Sequence, residues 1–516
     1  MQPTLTTPGS GQFGFIPDAM PQELPPNAWS YVTNARFRDG YAEQVRGTAQ
    51  ALNTPSIIPY WLTPYRIGTT RFWVYAGLAK IYCDDSTTKT EITPTGAPTG
   101  AIDDRWTGGT ASGVLVLNNG KDQPLYWGGV PATPAATLTG WNSNWRAASL
   151  RPFKQYLVAL DITKSGTRYG SMVKWSAAAV PGSLPASWDE TDATKDAGEQ
   201  DLAETTDFLV DSLPLGDLNI LYKERSMYAM QYIGQPFIWR FFRLPGEVGM
   251  LARGCAVDTP KGHVVLTAGD VIIHNGQGPQ SIVTGRVRRW LFSRLDQTNY
   301  KRSFLCVNPT VNEVWICFPS NGATSCDTAL IWNWDTDTFG VRDLQNATYG
   351  ATGTLTVPAT GTTWSSDSDT WDHDGSPWDM DDFSSTESKL LISQTTPLIV
   401  LNEIGSTPDY ANVVHTSVLE RKGITFDKPD VVKTVRSVIP RFDATTGTQL
   451  TIEVGASMDA EVSPTYSAPF TYTVGTSRKA DCFATGRFLA LRITSNASQP
   501  FRLKSYDMEV IEHGGY

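Results

Sequence analysis

The 516-residue sequence is poor in the residues that most site chemistry needs, with 5 histidines and 6 cysteines. Cys83, Cys255, Cys306, Cys317, Cys326 and Cys482 form no C-x-x-C pair. Their spacing describes neither a disulfide framework nor a zinc set. They are expected as reduced, buried small hydrophobes. The histidines are scattered, without H-E-x-x-H, which argues against a zinc enzyme. No G-x-S-x-G elbow and no G-x-x-x-x-G-K-[ST] loop occurs, so a nucleophile-elbow hydrolase and a P-loop nucleotide enzyme are both excluded. No run of about 18 apolar residues is present, so no transmembrane helix is expected. The opening MQPTLTTPGSGQ lacks the positive start and apolar stretch of a signal peptide, which leads to the expectation of synthesis and folding in the cytoplasm. Charged residues reach only 18%, below the usual ~25%.

What is abundant is breakers and aromatics. The chain has 44 Gly, 33 Pro and 17 Trp, and aromatics make up 11%. That is too aromatic for a disordered chain and too broken for a helical bundle or coiled coil. It suits many short strands joined by turns. The formal net charge of −10 repels phosphate, so tight or sequence-reading nucleic-acid binding is disfavoured. An acidic wall can still border DNA that must slide past without sticking.

Short period-2 runs recur along the chain. Residues 32–37 and 41–45 flank Asp39-Gly40, a hairpin-type turn. From about residue 57, RFWVYAG, LAKIYCD and TEITPTG form a set, then GVLVLNNG with PLYWGG, then KQYLVALDI with YGSMVKWSAA. Further sets are DLNILYKERSMYAMQYIG with FIWRFFRLPG, GHVVLTAGDVIIHNGQGPQSIV, and NEVWICFPSNG with TALIWNWDTDTFGVRDL. A lone set cannot bury both faces, so neighbours must stack, as the blades of a β-propeller do. At roughly 45 residues per blade, positions 57–350 hold about six or seven blades. A sandwich with long loops is the competing arrangement. From about 411 the alternation returns in HTSVLERKGITF, VVKTVRSVIPRF, LTIEVGAS, GRFLALRITS and FRLKSYDMEVIEHG. The expected fold is therefore all-β: an N-terminal segment and hairpin (1–56), a propeller (57–350), an Asp/Thr/Trp-rich loop with closing strands (351–410), and a C-terminal β-sandwich-like domain (411–516). The N-terminal hairpin is expected to pack on that last domain.

Two stretches interrupt the pattern before the Asp-rich loop. Residues 181–207 are acidic and strand-poor, which predicts a long loop or blade insertion. Residues 286–305 lack Gly and Pro, and Val287, Trp290, Leu291 and Leu295 fall at helical spacing, which predicts one short amphipathic helix. That segment also carries the densest positive patch, Arg286, Arg288, Arg289 and Arg294, followed by Lys301 and Arg302. On a −10 molecule the patch fits an acidic protein neighbour better than DNA. A solvated helix face is the plain alternative.

The Asp-rich loop SSDSDTWDHDGSPWDMDD offers oxygen ligands at alternate positions, so Asp372, Asp374 and Asp381 are calcium candidates. Against this, the twelfth position lacks a bidentate Glu and no helix-loop-helix surrounds it. Asx-turns around Trp371 and Trp378 are the plain reading. The same stretch is similar to the Asp-box turn of sialidase-like propellers, one residue short and without its Gly. No carboxylate pair is singled out for glycoside hydrolysis.

Several of these segments together resemble the β-propeller tail nozzle, or distal tail-tube, proteins of short-tailed bacteriophages. They are residues 24–47, 172–202, 217–234, 312–322, 328–344 and 486–515. The resemblance implies a virion structural protein without enzyme activity or cofactor. It implies a homohexameric ring below the portal and the head-to-tail adaptor, near tail fibres or spikes, with double-stranded DNA leaving through the channel without specific binding. The alternative is a tail propeller that binds or cleaves host-surface glycan, for which exposed Trp and Tyr on a concave face would be the sign.

Overall fold

The computed structural model describes residues 4–355, 388–404 and 406–515. Its central strands show why the alternation is often lost: Val114–Asn118 is buried on both faces, as are the first seven residues of Tyr156–Lys164. A strand covered on both sides must lie inside a stack of sheets. The stack is a closed ring of antiparallel sheets, seven among the described residues, and the fold is a β-propeller.

Five blades are four-stranded sheets in simple chain order. Blade one is Trp61–Ile67, Thr70–Ala76, Ile81–Asp84 and Lys89–Glu91. Blade two is Thr107–Ala111, Val114–Asn118, Leu125–Trp127 and Ala136–Thr137. Blade three is Trp145–Phe153, Tyr156–Lys164, Thr167–Trp175 and Gly198–Asp201. Blade four is Leu209–Leu215, Leu218–Lys223, Met227–Gly234 and Ile238–Arg243. Blade five is Ala256–Thr259, Gly262–Leu266, Val271–His274 and Gln280–Ser281.

Blades six and seven share a strand. Thr338–Thr354 pairs through residues 338–347 with Cys326–Asn333, completing blade six after Phe304–Asn308 and Glu313–Phe318. Its later part, from Ala347, pairs with Ser388–Gln394, which pairs with Leu398–Asn402. The outer strand of blade seven is Thr48–Gln50, from the other end of the chain. The first strand of each blade packs on that of the next, and Thr338–Thr354 packs on Trp61–Ile67 to close the ring. The propeller expected over 57–350 therefore reaches to residue 402 and borrows residues 48–50. The acidic stretch expected as a long loop or blade insertion contains Gly198–Asp201, the outer strand of blade three: its pairing with Thr167–Trp175 outweighs its polar composition.

Beyond the propeller lies a sandwich. One sheet holds Val431–Ala444 between Phe501–Gly515 and Ala480–Gly486, with Thr4–Pro8 added on the far side of Phe501–Gly515. The other holds Ser417–Ile424, Phe488–Ser495 and Gln449–Ser457, with Tyr31–Thr33 at its edge. Val435, Val438, Ile452, Leu491, Leu503 and Met508 lie in one core cluster. The N-terminal hairpin joins this sandwich to the propeller. Asp39 (φ 53°) and Gly40 (φ 78°) make the left-handed turn. One arm meets blade six at Ala35 and Val341, and the other meets Phe501–Gly515 at Ala42 and Leu503. Hydrogen bonding thus runs without a break from blade six into the C-terminal domain.

Candidate interaction surface at the basic helix

The predicted helix is present but short. Helix α1 spans Arg288–Arg294, and the chain leaves it extended at Leu295 before a single 3-10 turn, Tyr300–Arg302. Val287 and Leu291 are buried, and Trp290 and Leu295 pack against the core. The helix stops because Asp296 collects the backbone N–H groups of Thr298, Asn299 and Gly322, which turns the chain back onto blade six. Its start is capped from afar, since the Asp18 carboxylate accepts from the backbone N–H of Arg289 and Trp290 at 2.6 and 2.9 Å.

The four arginines singled out in the sequence do not act alike. Arg286 is consumed within the chain, donating to the Asp337 carboxylate at 2.9 Å and lying over the Phe339 ring. Arg288 is exposed and its Nε donates to the Gly269 carbonyl at 2.7 Å. Arg289 donates to the Asp18 carbonyl at 3.0 Å, and Arg294 stacks on Trp290. Beside them opens a cleft of about 950 Å³. Met250, Leu251, Phe292 and Leu295 are among its apolar lining, and Arg225, Arg288 and Arg289 are among its polar lining. Of its three acids, Asp18 caps α1 and Asp296 holds three backbone amides, whereas Glu224 is exposed and forms no ion pair among the described residues. Arg225 and Arg288 have no carboxylate partner among the described residues. The positive patch is therefore real but smaller than its sequence count.

Arginine side chains link both distant and neighbouring blades. Arg253, between blades four and five, reaches the Arg105 carbonyl just before blade two at 3.5 Å. Arg105 donates to the Arg302 carbonyl and lies over the Tyr349 ring, from blade two to blades six and seven. Arg151 holds Asp211 through two bonds of 2.9 and 2.6 Å, and Ser149 adds a third at 2.6 Å. Burial opposes ionisation of Asp211, but the Arg151 charge and these hydrogen bonds hold its carboxyl below the usual range.

Two further buried clusters went unseen in the sequence. Arg36 lies among Glu43 (2.7 Å), Glu403 (2.8 Å) and Glu313 (3.5 Å), where hairpin and blades six and seven meet. Tyr222 stands between His263 and His274, each 2.7 Å from its hydroxyl. His263 Nε2 faces the Pro214 carbonyl at 2.8 Å and so donates to it, leaving Nδ1 to accept from Tyr222. Tyr222 in turn accepts from His274 Nε2–H. Burial holds both imidazoles neutral, His274 down to about 4. Spacing could not signal either cluster, because each draws on strands far apart in the chain.

All six cysteines are buried and unbridged, as expected, and burial pushes the Cys83 and Cys255 thiols up to about 12. The calcium candidates Asp372, Asp374 and Asp381 lie outside the described residues. No group of three or more His, Cys, Asp or Glu among the described residues could hold a metal ion. No described helix is long and apolar enough to cross a membrane.

No family model and no curated protein matches the chain. Similar solved structures include the WD40 β-propeller domain of Doa1, at 10% identity over 70% of this chain and 96% of that one, with a TM-score of 0.35. A structure of YCF48 bound to D1 peptide is 10% identical over 70% and 98%, with a TM-score of 0.37. BBS1N in complex with ARL6DN is 11% identical over 65% and 94%, with a TM-score of 0.29. Such distant likeness concerns fold alone, and the ladders above carry the assignment. The chain is a seven-bladed β-propeller protein with a C-terminal β-sandwich built partly from its own N-terminus.

Proposed function

We propose that this chain is a structural protein of the virion tail, the nozzle of a short-tailed bacteriophage. It forms a homohexameric ring below the portal and adaptor, through which double-stranded DNA leaves unbound. The observation that carries the reading is how the polar chemistry is divided. The buried ionisable clusters close on one another, whereas the side chains of Arg225 and Glu224 and several large apolar groups lie at the surface without an ion pair among the described residues. An assembly subunit needs that division and a catalytic site does not. The sequence resemblance and the net charge of −10 support the same reading, because an acidic wall does not condense onto phosphate.

The links from Arg253 to Arg105 and from Arg105 to Arg302, across the propeller, support a conduit that runs between copies rather than through one propeller. The glycan reading has less to stand on, because no described Trp is among the exposed large hydrophobics and the exposed Tyr31, Tyr169, Tyr232 and Tyr410 lie on four separate elements.

The test is the mass of the purified protein by light scattering, alone and with its adaptor ring. A six-subunit assembly on the adaptor is the expected result. A chain that ignores the adaptor and binds polysaccharide overturns the reading.

A further inference from the structure

Among the described residues of 57–402, eight large apolar side chains are exposed, and six of them lie at one end of the blades. In an antiparallel four-stranded blade, the turns from first to second and from third to fourth strand leave at the same end. Ile67 stands at the first of these turns in blade one. Val130 and Val180 stand in the second, in blades two and three, and Tyr232, Ile233 and Phe237 stand at the second in blade four. The other two, Tyr169 and Phe208, lie at the opposite end. Blades five to seven contribute none among the described residues.

The six belong to one surface, because neighbouring turns touch. A Cβ at Gly129, beside Val130, would stand 2.9 Å from Ile67 Cγ2, and the Tyr65 hydroxyl donates to the Gly113 carbonyl at 2.8 Å. The Gly182 N–H donates to the Ser112 carbonyl, joining the turns of blades three and two. The Tyr156 and Tyr232 rings, 6.2 Å apart, carry the surface on to blade four. Its turns, residues 128–135, 176–188 and 232–238, contain no Asp, Glu, Lys or Arg. Charge stands at the rim. Lys154 pairs with Asp217 at 2.9 Å, Asp196 accepts from Gln235 and Tyr156, Glu190 meets Lys174, Asp189 accepts from Thr191, and Arg66 adjoins Ile67.

We propose that two copies of this chain pair face to face through these turns of blades one to four, with Phe237 and Val180, 75% and 70% exposed, as the main apolar contacts. Area and charge both fit a second copy. A stable contact takes roughly 20–30 residues a side, and 20 of the 28 residues in these turns are exposed or half-buried. Chains of net charge −10 repel one another. Meeting here sets uncharged turns against uncharged turns and leaves the carboxylates at the rim, while it takes large apolar groups out of water. One surface serves both copies, so the contact is two-fold and closes at two chains. A ring needs head-to-tail contacts, so this pairing is separate from the ring and does not rest on the nozzle reading.

The test is the light-scattering mass of the full chain, without the adaptor, over a range of concentrations. The expected result is a rise from one chain to two. Phe237→Lys and Val180→Lys each exchange an exposed side chain and should keep the β-rich circular dichroism. Each should raise the concentration of half-association at least roughly tenfold, the usual scale for losing a central anchor. Tyr169→Lys, at the opposite end of the blades, should leave that concentration unchanged. Wild type that stays at one chain overturns the pairing, as does association unaltered in both variants or equally weakened by Tyr169→Lys. A single chain that floats with phosphatidylcholine vesicles, and loses that binding in Phe237→Lys, overturns it in favour of a lipid surface. Ring formation on the adaptor is read separately, so either idea can fail while the other stands.

Discussion

Glu313→Gln is the substitution whose effect the geometry specifies most closely. Arg36 serves three carboxylates, and Glu313 is the worst placed of them, with Oε2 3.5 Å from the guanidinium and Oε1 without a partner. Trp315 Nε1–H donates to Oε2 at 3.0 Å. Burial pushes the Glu313 carboxyl up by more than Arg36 and Trp315 recover, with Glu403 and Glu43 adding repulsion, from 4.5 to about 7. The folded chain therefore binds this proton more tightly than the unfolded chain. The stability that results is full below about pH 4.5 and is lost as pH rises through about 7. At about 1.4 kcal/mol per pH unit, the ionised carboxylate costs the folded state about 3 kcal/mol at pH 8.5. Glutamine keeps an acceptor for Trp315 and removes the charge. Urea-denaturation midpoints at pH 5 and pH 8.5 read the result: the variant should match wild type at pH 5 and exceed it at pH 8.5. A variant equally destabilised at both values would refute the reasoning, since pairing with Arg36 would then outweigh burial.

Other substitutions test other joints. Tyr222→Phe strips the hydroxyl between His263 and His274 and leaves buried ring nitrogens unpaired, which should cost about 1–3 kcal/mol in chemical denaturation. In wild type, His274 is depressed to about 4; the stability it lends is present above about 6.5 and is lost as pH falls towards 4, and a pH series of thermal midpoints follows that loss. Asp211→Asn breaks the buried pair with Arg151 and should cost about 3–5 kcal/mol, against far less for Lys154→Ala at the exposed pair with Asp217. Deleting residues 1–50 removes the outer strand of blade seven and should lower the melting midpoint and expose Leu398–Asn402 to proteolysis. Arg288→Glu with Arg289→Glu should leave circular dichroism intact and impair ring or tail assembly; normal assembly would remove α1 from the interface.

Local chemistry alone determined a good deal about this protein. Breaker content and period-2 runs specify short strands, Asp39-Gly40 specifies the hairpin, and Val287, Trp290, Leu291 and Leu295 specify α1, because each depends on neighbours within a few residues. The all-β class and the stacking of blades follow from those periods, since a half-buried sheet must find a partner. Only tertiary structure decided that Thr48–Gln50 closes blade seven, that Thr338–Thr354 serves two blades, and that Gly198–Asp201 is a strand within an acidic stretch. These pairings join residues up to hundreds of positions apart, and their hydrogen bonds and burial override local composition. The same holds for the chemistry. A run of arginines is visible in the sequence, but which of them meets the Asp337 carboxylate and which a backbone carbonyl depends on where distant loops bring Asp18, Gly269 and Asp337. Likewise, Arg36 and Tyr222 look ordinary in a strand and become cluster centres only when other strands place carboxylates and imidazoles around them.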